Sequence, residues 1–137
     1  MDEFRTYVES LLLTQEEKNR IEEVVQLLKN EKIVTAGKGR SGNVAKLGGY
    51  FLRDSGAFAS FYSDVCGPRA GEIEGWLIVV SGSGETPEMV KLAKEFSEEG
   101  GKVLLITYNP NSSVSKFSDI VVQLQGKRKV CGARKCV

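Results

Sequence analysis

Ser81-Gly82-Ser83-Gly84-Glu85-Thr86 is the segment of this 137-residue chain best equipped for chemistry. Its hydroxyls and glycines stand between the apolar run Trp76-Leu77-Ile78-Val79-Val80 and Pro87. That order reads as strand, small polar loop, helix start. Glycine lets backbone approach a ligand closely, serine and threonine supply donors, and the first N–H groups of a helix point into the same space with the positive end of its dipole behind them. The combination suits a phosphate. Nothing in it suits a nucleobase or a metal ion as ligand.

A second glycine-rich loop, Gly37-Lys38-Gly39-Arg40-Ser41-Gly42, follows another apolar run. Gly37, Gly39 and Gly42 meet the spacing of a dinucleotide fingerprint, which also needs an acidic residue about twenty positions on to hold a ribose. Ser60, Phe61 and Tyr62 occupy that region and Asp64 is poorly placed, so the nucleotide reading is weak and no cofactor is expected.

The chain contains no histidine. A Ser-His-Asp triad or a histidine-built metal site within one chain is excluded, and an acid or base near neutral pH must be a carboxylate, lysine, tyrosine or cysteine. Cys66, Cys131 and Cys136 lack disulfide-framework or zinc spacing and are expected to be free thiols, with no metal bound. A formal net charge of +1 argues against a nucleic-acid or membrane-surface partner. No apolar run reaches spanning length, and Met1-Asp2-Glu3-Phe4-Arg5 lacks the order of a signal peptide, so a cytoplasmic protein is expected.

The elements that must position these loops follow from periodicity. Phe4, Tyr7, Val8, Leu11 and Leu12 predict a helix over residues 2–13, and a capping box at Thr14 and Glu17 opens a second, to about residue 29. Strands are predicted at residues 32–36, 57–62, 76–80, 103–107 and 120–124. Val44, Leu47, Phe51 and Leu52 mark a helix after the first, and Met89, Val90, Ala93 and Phe96 one after the third. Gly56 and the Gly100-Gly101 pair are expected to end these helices. Asn109-Pro110-Asn111-Ser112-Ser113 is turn chemistry, with a short helix over 113–117. Tyr50, Phe51 and Trp76 are expected in the core or an interface. Continuously apolar strands alternating with helices indicate a parallel sheet covered on both faces, with ligands at the strand carboxyl ends.

Taken together, GKGRSG after the first strand and SGSGET after the third resemble the sugar isomerase (SIS) domain family, and within it the 6-phospho-3-hexuloisomerases. The likeness covers about residues 33–124. It implies a flavodoxin-like three-layer α/β/α sandwich with a five-stranded parallel sheet, as one SIS domain over 1–126 with a basic tail over 127–137. It also implies a phosphosugar ligand and a homodimer or homotetramer. Carried over residue by residue, the phosphate loop falls on Ser81, Gly82, Ser83, Gly84 and Thr86, and further substrate contacts on Gly39, Arg40 and Ser41. Glu85 belongs to the motif. As a carboxylate it would turn from a phosphate dianion, towards sugar hydroxyls or a neighbouring backbone amide.

The implied reaction is an isomerisation through an enediol, which needs a phosphate handle, a base and donors for the developing oxyanion. Glu85 and Glu72 are the candidate bases, with Glu74 beside them. The family carries its acidic base in a C-terminal helical segment, whereas Leu124-Gln125-Gly126 leads here into KRKVCGARKCV. The family's histidine near the end of the second helix is replaced by Leu52-Arg53-Asp54-Ser55. Those departures leave a non-catalytic phosphosugar sensor as the alternative.

Overall fold

A computed structural model of the chain describes residues 2–3, 15–62, 75–124, 130–131 and 134–135. Residues 2–3 are helical; the rest of the helix expected over 2–13 lies outside the described residues, as do Thr14 of the capping box, Glu72, Glu74, Cys66 and Cys136. The elements run α1 (Gln15–Leu28), β1 (Lys32–Gly37), α2 (Gly39–Asp54), β2 (Phe58–Phe61), β3 (Trp76–Val80), α3 (Pro87–Glu98), β4 (Lys102–Thr107), a 3-10 turn (Val114–Phe117) and β5 (Ile120–Gln123). Two short strands, β6 (Val130–Cys131) and β7 (Arg134–Lys135), pair antiparallel within the expected basic tail.

The sheet has five strands in the order β2-β1-β3-β4-β5, and every pair in it is parallel. β3 and β4 are almost wholly buried, as central strands covered on both faces must be. Alternate residues feed opposite layers. Leu77 and Val79 pack with Met89, Leu92, Ala93 and Phe96 of α3 and with Val114. Trp76 and Ile78 pack with Ile33 and Leu104 against Val24 and Leu28 of α1 and Leu52 of α2. α1 and α2 therefore cover one face and α3 the other. Each large apolar side chain buried this way contributes about 1.5–3 kcal/mol. Trp76 is a core residue, with the Lys102 ammonium 5.6 Å from its ring centroid.

Both helices flanking the loops end as the glycines predict. Gly56 and Gly100 have positive φ, and the N–H groups of Ala57 and Gly101 donate to the carbonyls of Leu52 and Phe96, so the last turns close in Schellman form.

The pattern Val44, Leu47, Phe51 and Leu52 marks α2 without fixing which stripe meets the sheet. The helix exists, but its buried residues are Gly42, Ala45 and Gly49. Val44, Leu47, Tyr50 and Phe51 are 60%, 55%, 48% and 63% exposed. The cause is close approach to the sheet. A Cβ on Gly42 would meet the Gly37 carbonyl oxygen at 2.8 Å, one on Gly49 would meet Thr35 Oγ1 at 3.0 Å, and the Thr35 hydroxyl donates to the Ala45 carbonyl at 2.7 Å. Small residues must face β1, so the large ones face outward.

Candidate functional site

β1 and β3 are neighbours in register, with Gly37 opposite Val80, so the loops that follow them leave the sheet side by side. Their chains then diverge, one into α2 on one face and the other into α3 on the opposite face. This is the topological switch point, where a crevice opens at the carboxyl ends of parallel strands. Lys38 of the first loop reaches across to Glu88 in the first turn of α3, Nζ to Oε1 3.7 Å. A cavity of about 380 Å3 lies alongside, lined by Gly37 and Lys38, by Phe61 and Tyr62, and by Glu88, Met89 and their neighbours on α3.

The loop over residues 81–86 is held from beneath by residues 107–114. The Gly82 carbonyl accepts from the Tyr108 N–H at 3.1 Å and from the Thr107 hydroxyl at 3.0 Å. The Ser83 carbonyl accepts from Asn109 Nδ2 at 3.2 Å, and the Gly84 carbonyl from the Val114 N–H at 3.0 Å. N–H and C=O of one planar trans peptide point in opposite directions. Turning the Gly82 carbonyl towards the 107–114 turn therefore turns the Ser83 N–H away from it, and that N–H has no acceptor among the described residues.

The hydroxyls divide into two kinds. Ser81 is only 2% exposed; its oxygen accepts from the Gly84 N–H at 3.0 Å and lies 3.3 Å from Thr86 Oγ1. The sequence reading places it on the phosphate; in this structure it ties Gly84 and Thr86 together from within the loop. Ser83 Oγ accepts from the Glu85 N–H at 3.1 Å, which leaves its own hydrogen to donate outward. Thr86 is the N-cap of α3 in extended conformation, with Pro87 at the first helical position and no side-chain cap bond, so its hydroxyl is not spent on the helix. Residues 83 and 86 thus stand at the positive end of α3, with the Ser83 hydroxyl hydrogen unspent within the loop.

In the first loop Gly39 has positive φ, and Gly39 and Arg40 are exposed while Ser41 is half-buried in the first turn of α2. Gly37 and Gly42 pack backbone on backbone: a Cβ on Gly37 would meet the Ser41 carbonyl oxygen at 2.6 Å. Strand-to-helix packing alone accounts for two glycines of the dinucleotide-like spacing.

The SIS domain family matches this chain over residues 26–135. The chain is a SIS domain. Among its relatives, 3-hexulose-6-phosphate isomerase of Bacillus subtilis is 35% identical over 104 residues, covering 75% of this chain and 55% of that protein. Arabinose 5-phosphate isomerase KpsF of Escherichia coli is 29% identical over 127 residues, covering 88% of this chain and 40% of that protein. The SIS domain described here thus spans about half the length, or less, of these two relatives. In fold it is similar to a solved protein of Methanococcus jannaschii, with TM-score 0.77 at 22% identity over 94% of this chain and 76% of that one.

Glu85 sits at the edge of this SIS loop with its carboxylate engaged. Oε1 accepts from the Ser113 N–H at 2.7 Å and Oε2 from the Ser113 hydroxyl at 2.6 Å. The Ser113 hydroxyl and then its N–H hold the carboxyl below the ordinary glutamate range, with Lys116 adding a smaller push the same way. Of the alternatives the sequence left open for Glu85, its contact here is a backbone amide. In this conformation both carboxylate oxygens are tied to the 107–114 turn. Glu72, the other candidate base, lies outside the described residues. Among the described residues no cluster of three or more His, Cys, Asp or Glu could hold a metal ion, and no helix is long and apolar enough to cross a membrane. The 107–114 turn was not singled out from sequence as part of the site. Its signal was present: a cluster of Asn and Ser directly after the carboxyl end of β4, the same edge of the sheet as both loops.

Proposed function

We propose that this SIS domain binds a sugar monophosphate at residues 81–86 and belongs to a phosphosugar isomerase of the hexuloisomerase kind. The observation that carries the reading is the loop itself: the Gly82, Ser83 and Gly84 carbonyls are bonded to the 107–114 turn, which leaves the Ser83 N–H and the Ser83 and Thr86 hydroxyls beside the start of α3. A phosphate dianion accepts from all of these, and no cation is required. Gly39, Arg40 and Ser41, across the crevice, are proposed to meet the sugar or its phosphate, with Arg40 adding charge-assisted bonds. The isomerase relatives support the reaction class.

In the proposed reaction the phosphate is the handle. A carboxylate removes the proton from the carbon beside the substrate carbonyl and returns it to the adjacent carbon, the electron pair passing through an enediol. With no histidine in the chain, Glu72 is the candidate left on it for that base, Glu74 standing beside it. Hexulose 6-phosphate incubated with the protein in deuterated water should gain deuterium at the carbon next to the carbonyl, read by proton NMR. Tight binding without exchange would identify a phosphosugar sensor instead.

The same reading includes a cytoplasmic homo-oligomer, dimer or tetramer. The outward face of α2, with Val44, Leu47 and Phe51 one helical turn apart, supports it, because a contiguous apolar stripe on a surface helix costs free energy until it is covered. Sedimentation at micromolar concentration should show no monomer. Leu47→Glu combined with Phe51→Glu should release monomer, and a monomeric wild type would remove this part of the reading.

A further inference from the structure

We infer that Glu85 is a positioning residue, a strap that ties the phosphate loop to the turn at residues 109–113, and that it exchanges no proton with substrate. The inference deepens the phosphosugar reading above and rests on it.

The geometry has three parts. Both carboxylate oxygens of Glu85 are taken by Ser113, one by its N–H and one by its hydroxyl, across 28 residues of sequence. Ser112, the residue before, is buried against Gly84, where it fills the space a side chain would need. Val114, the residue after, donates its N–H to the Gly84 carbonyl. Three consecutive residues of the turn therefore grip two consecutive residues of the loop. The Glu85 N–H holds Ser83 Oγ as an acceptor, so the residue strapped by its side chain also aims the Ser83 hydroxyl through its backbone. Releasing the strap frees the loop at the point that orients this hydroxyl and the Ser83 N–H. Because the Ser113 bonds favour the ionised form, the strap is complete at neutral pH and opens only as pH falls through the lowered Glu85 pKa, in acid.

Three variants test this: Glu85→Gln, Ser113→Ala and the double. Each is titrated with fructose 6-phosphate by calorimetry at pH 7.5, melted without ligand, and assayed for solvent-deuterium exchange on hexulose 6-phosphate over a range of substrate concentrations. Each single change should weaken binding roughly three- to thirtyfold, the range expected when a charge-assisted hydrogen bond is lost at an exposed site. The double should fall short of the sum of the two singles, since both act on the same contact. Exchange should show a raised KM with kcat within a few-fold of wild type. Ser113→Ala removes one hydroxyl and no charge, so it reports even if Glu85→Gln folds poorly.

Loss of exchange at saturating substrate with affinity intact would overturn the inference and make Glu85 the base. Unchanged affinity in all three variants, with or without a lower melting point, would overturn it in favour of a purely structural contact. Wild-type protein that binds no sugar phosphate would remove the functional reading and this inference together, whereas a binding wild type with unaffected variants removes this inference alone.

Discussion

Replacing Ser83 and Thr86 together by alanine should weaken sugar monophosphate binding by at least about 100-fold. In the proposed site each hydroxyl donates to a dianion, and a hydrogen bond to a charged group is worth about 1.5–3 kcal/mol. Two such losses amount to about 3–6 kcal/mol, and each 1.4 kcal/mol is tenfold in Kd. The lower bound is the appropriate expectation, because the Ser83 N–H and the start of α3 remain. Stability should change little: Thr86 gives up a 3.3 Å contact with Ser81, and Ser83 gives up acceptance of one exposed N–H. Calorimetry with fructose 6-phosphate, beside a thermal melt, separates the two effects. An unchanged Kd would take the loop out of the assignment.

Gly84→Ala should be one of the most damaging single methyls in the described structure. Gly84 has φ +68, where a side chain costs about 1–2 kcal/mol. Its Cβ would also run into the Ser112 side chain, which is fully buried and has nowhere to go. Overpacking of this kind adds about 1–3 kcal/mol. The sum, about 2–5 kcal/mol, should lower Tm by roughly 10 °C or more. Pushing Ser112 away also carries Ser113 and Val114 off the loop, so phosphosugar affinity should fall with stability. A melt and a titration on the same preparation check both, and a variant with wild-type Tm would show that the turn can move aside without cost.

Much of this was legible in the chain. Trp76-Leu77-Ile78-Val79-Val80 and Val103-Leu104-Leu105-Ile106-Thr107 are continuous apolar runs because both their faces are covered, and a parallel sheet follows from that. Gly56 and Gly100 ended helices where only glycine sits comfortably. The polar loop after β3 stood out by composition alone.

What was not legible has a common cause. Periodicity in α2 identifies a helix but cannot say which stripe meets the sheet. Val44, Leu47 and Phe51 look like the inner face until the backbone contacts of Gly42 and Gly49 are known, and these reach 5 residues back to Gly37 and 14 back to Thr35. Likewise Ser81, Ser83 and Thr86 are equivalent hydroxyls on paper. Only the loop's curvature buries Ser81 and leaves the other two half-exposed. The role of Ser113 depends on a partner 28 positions away, which no local pattern encodes.

The bonds from residues 107–114 to the carbonyls of the phosphate loop carry a further consequence for how a ligand arrives. A loop of this composition, left alone, would sample many backbone conformers, and fixing each residue costs about 1–2 kcal/mol of chain entropy. Here that ordering is complete before any ligand is present. Association at the proposed site therefore needs no ordering of residues 81–86, and for this loop the rate is set by encounter and orientation. If the proposed site holds a phosphosugar, different sugars carrying the same phosphate should dock at similar speeds, and discrimination among them should lie in how long each one stays.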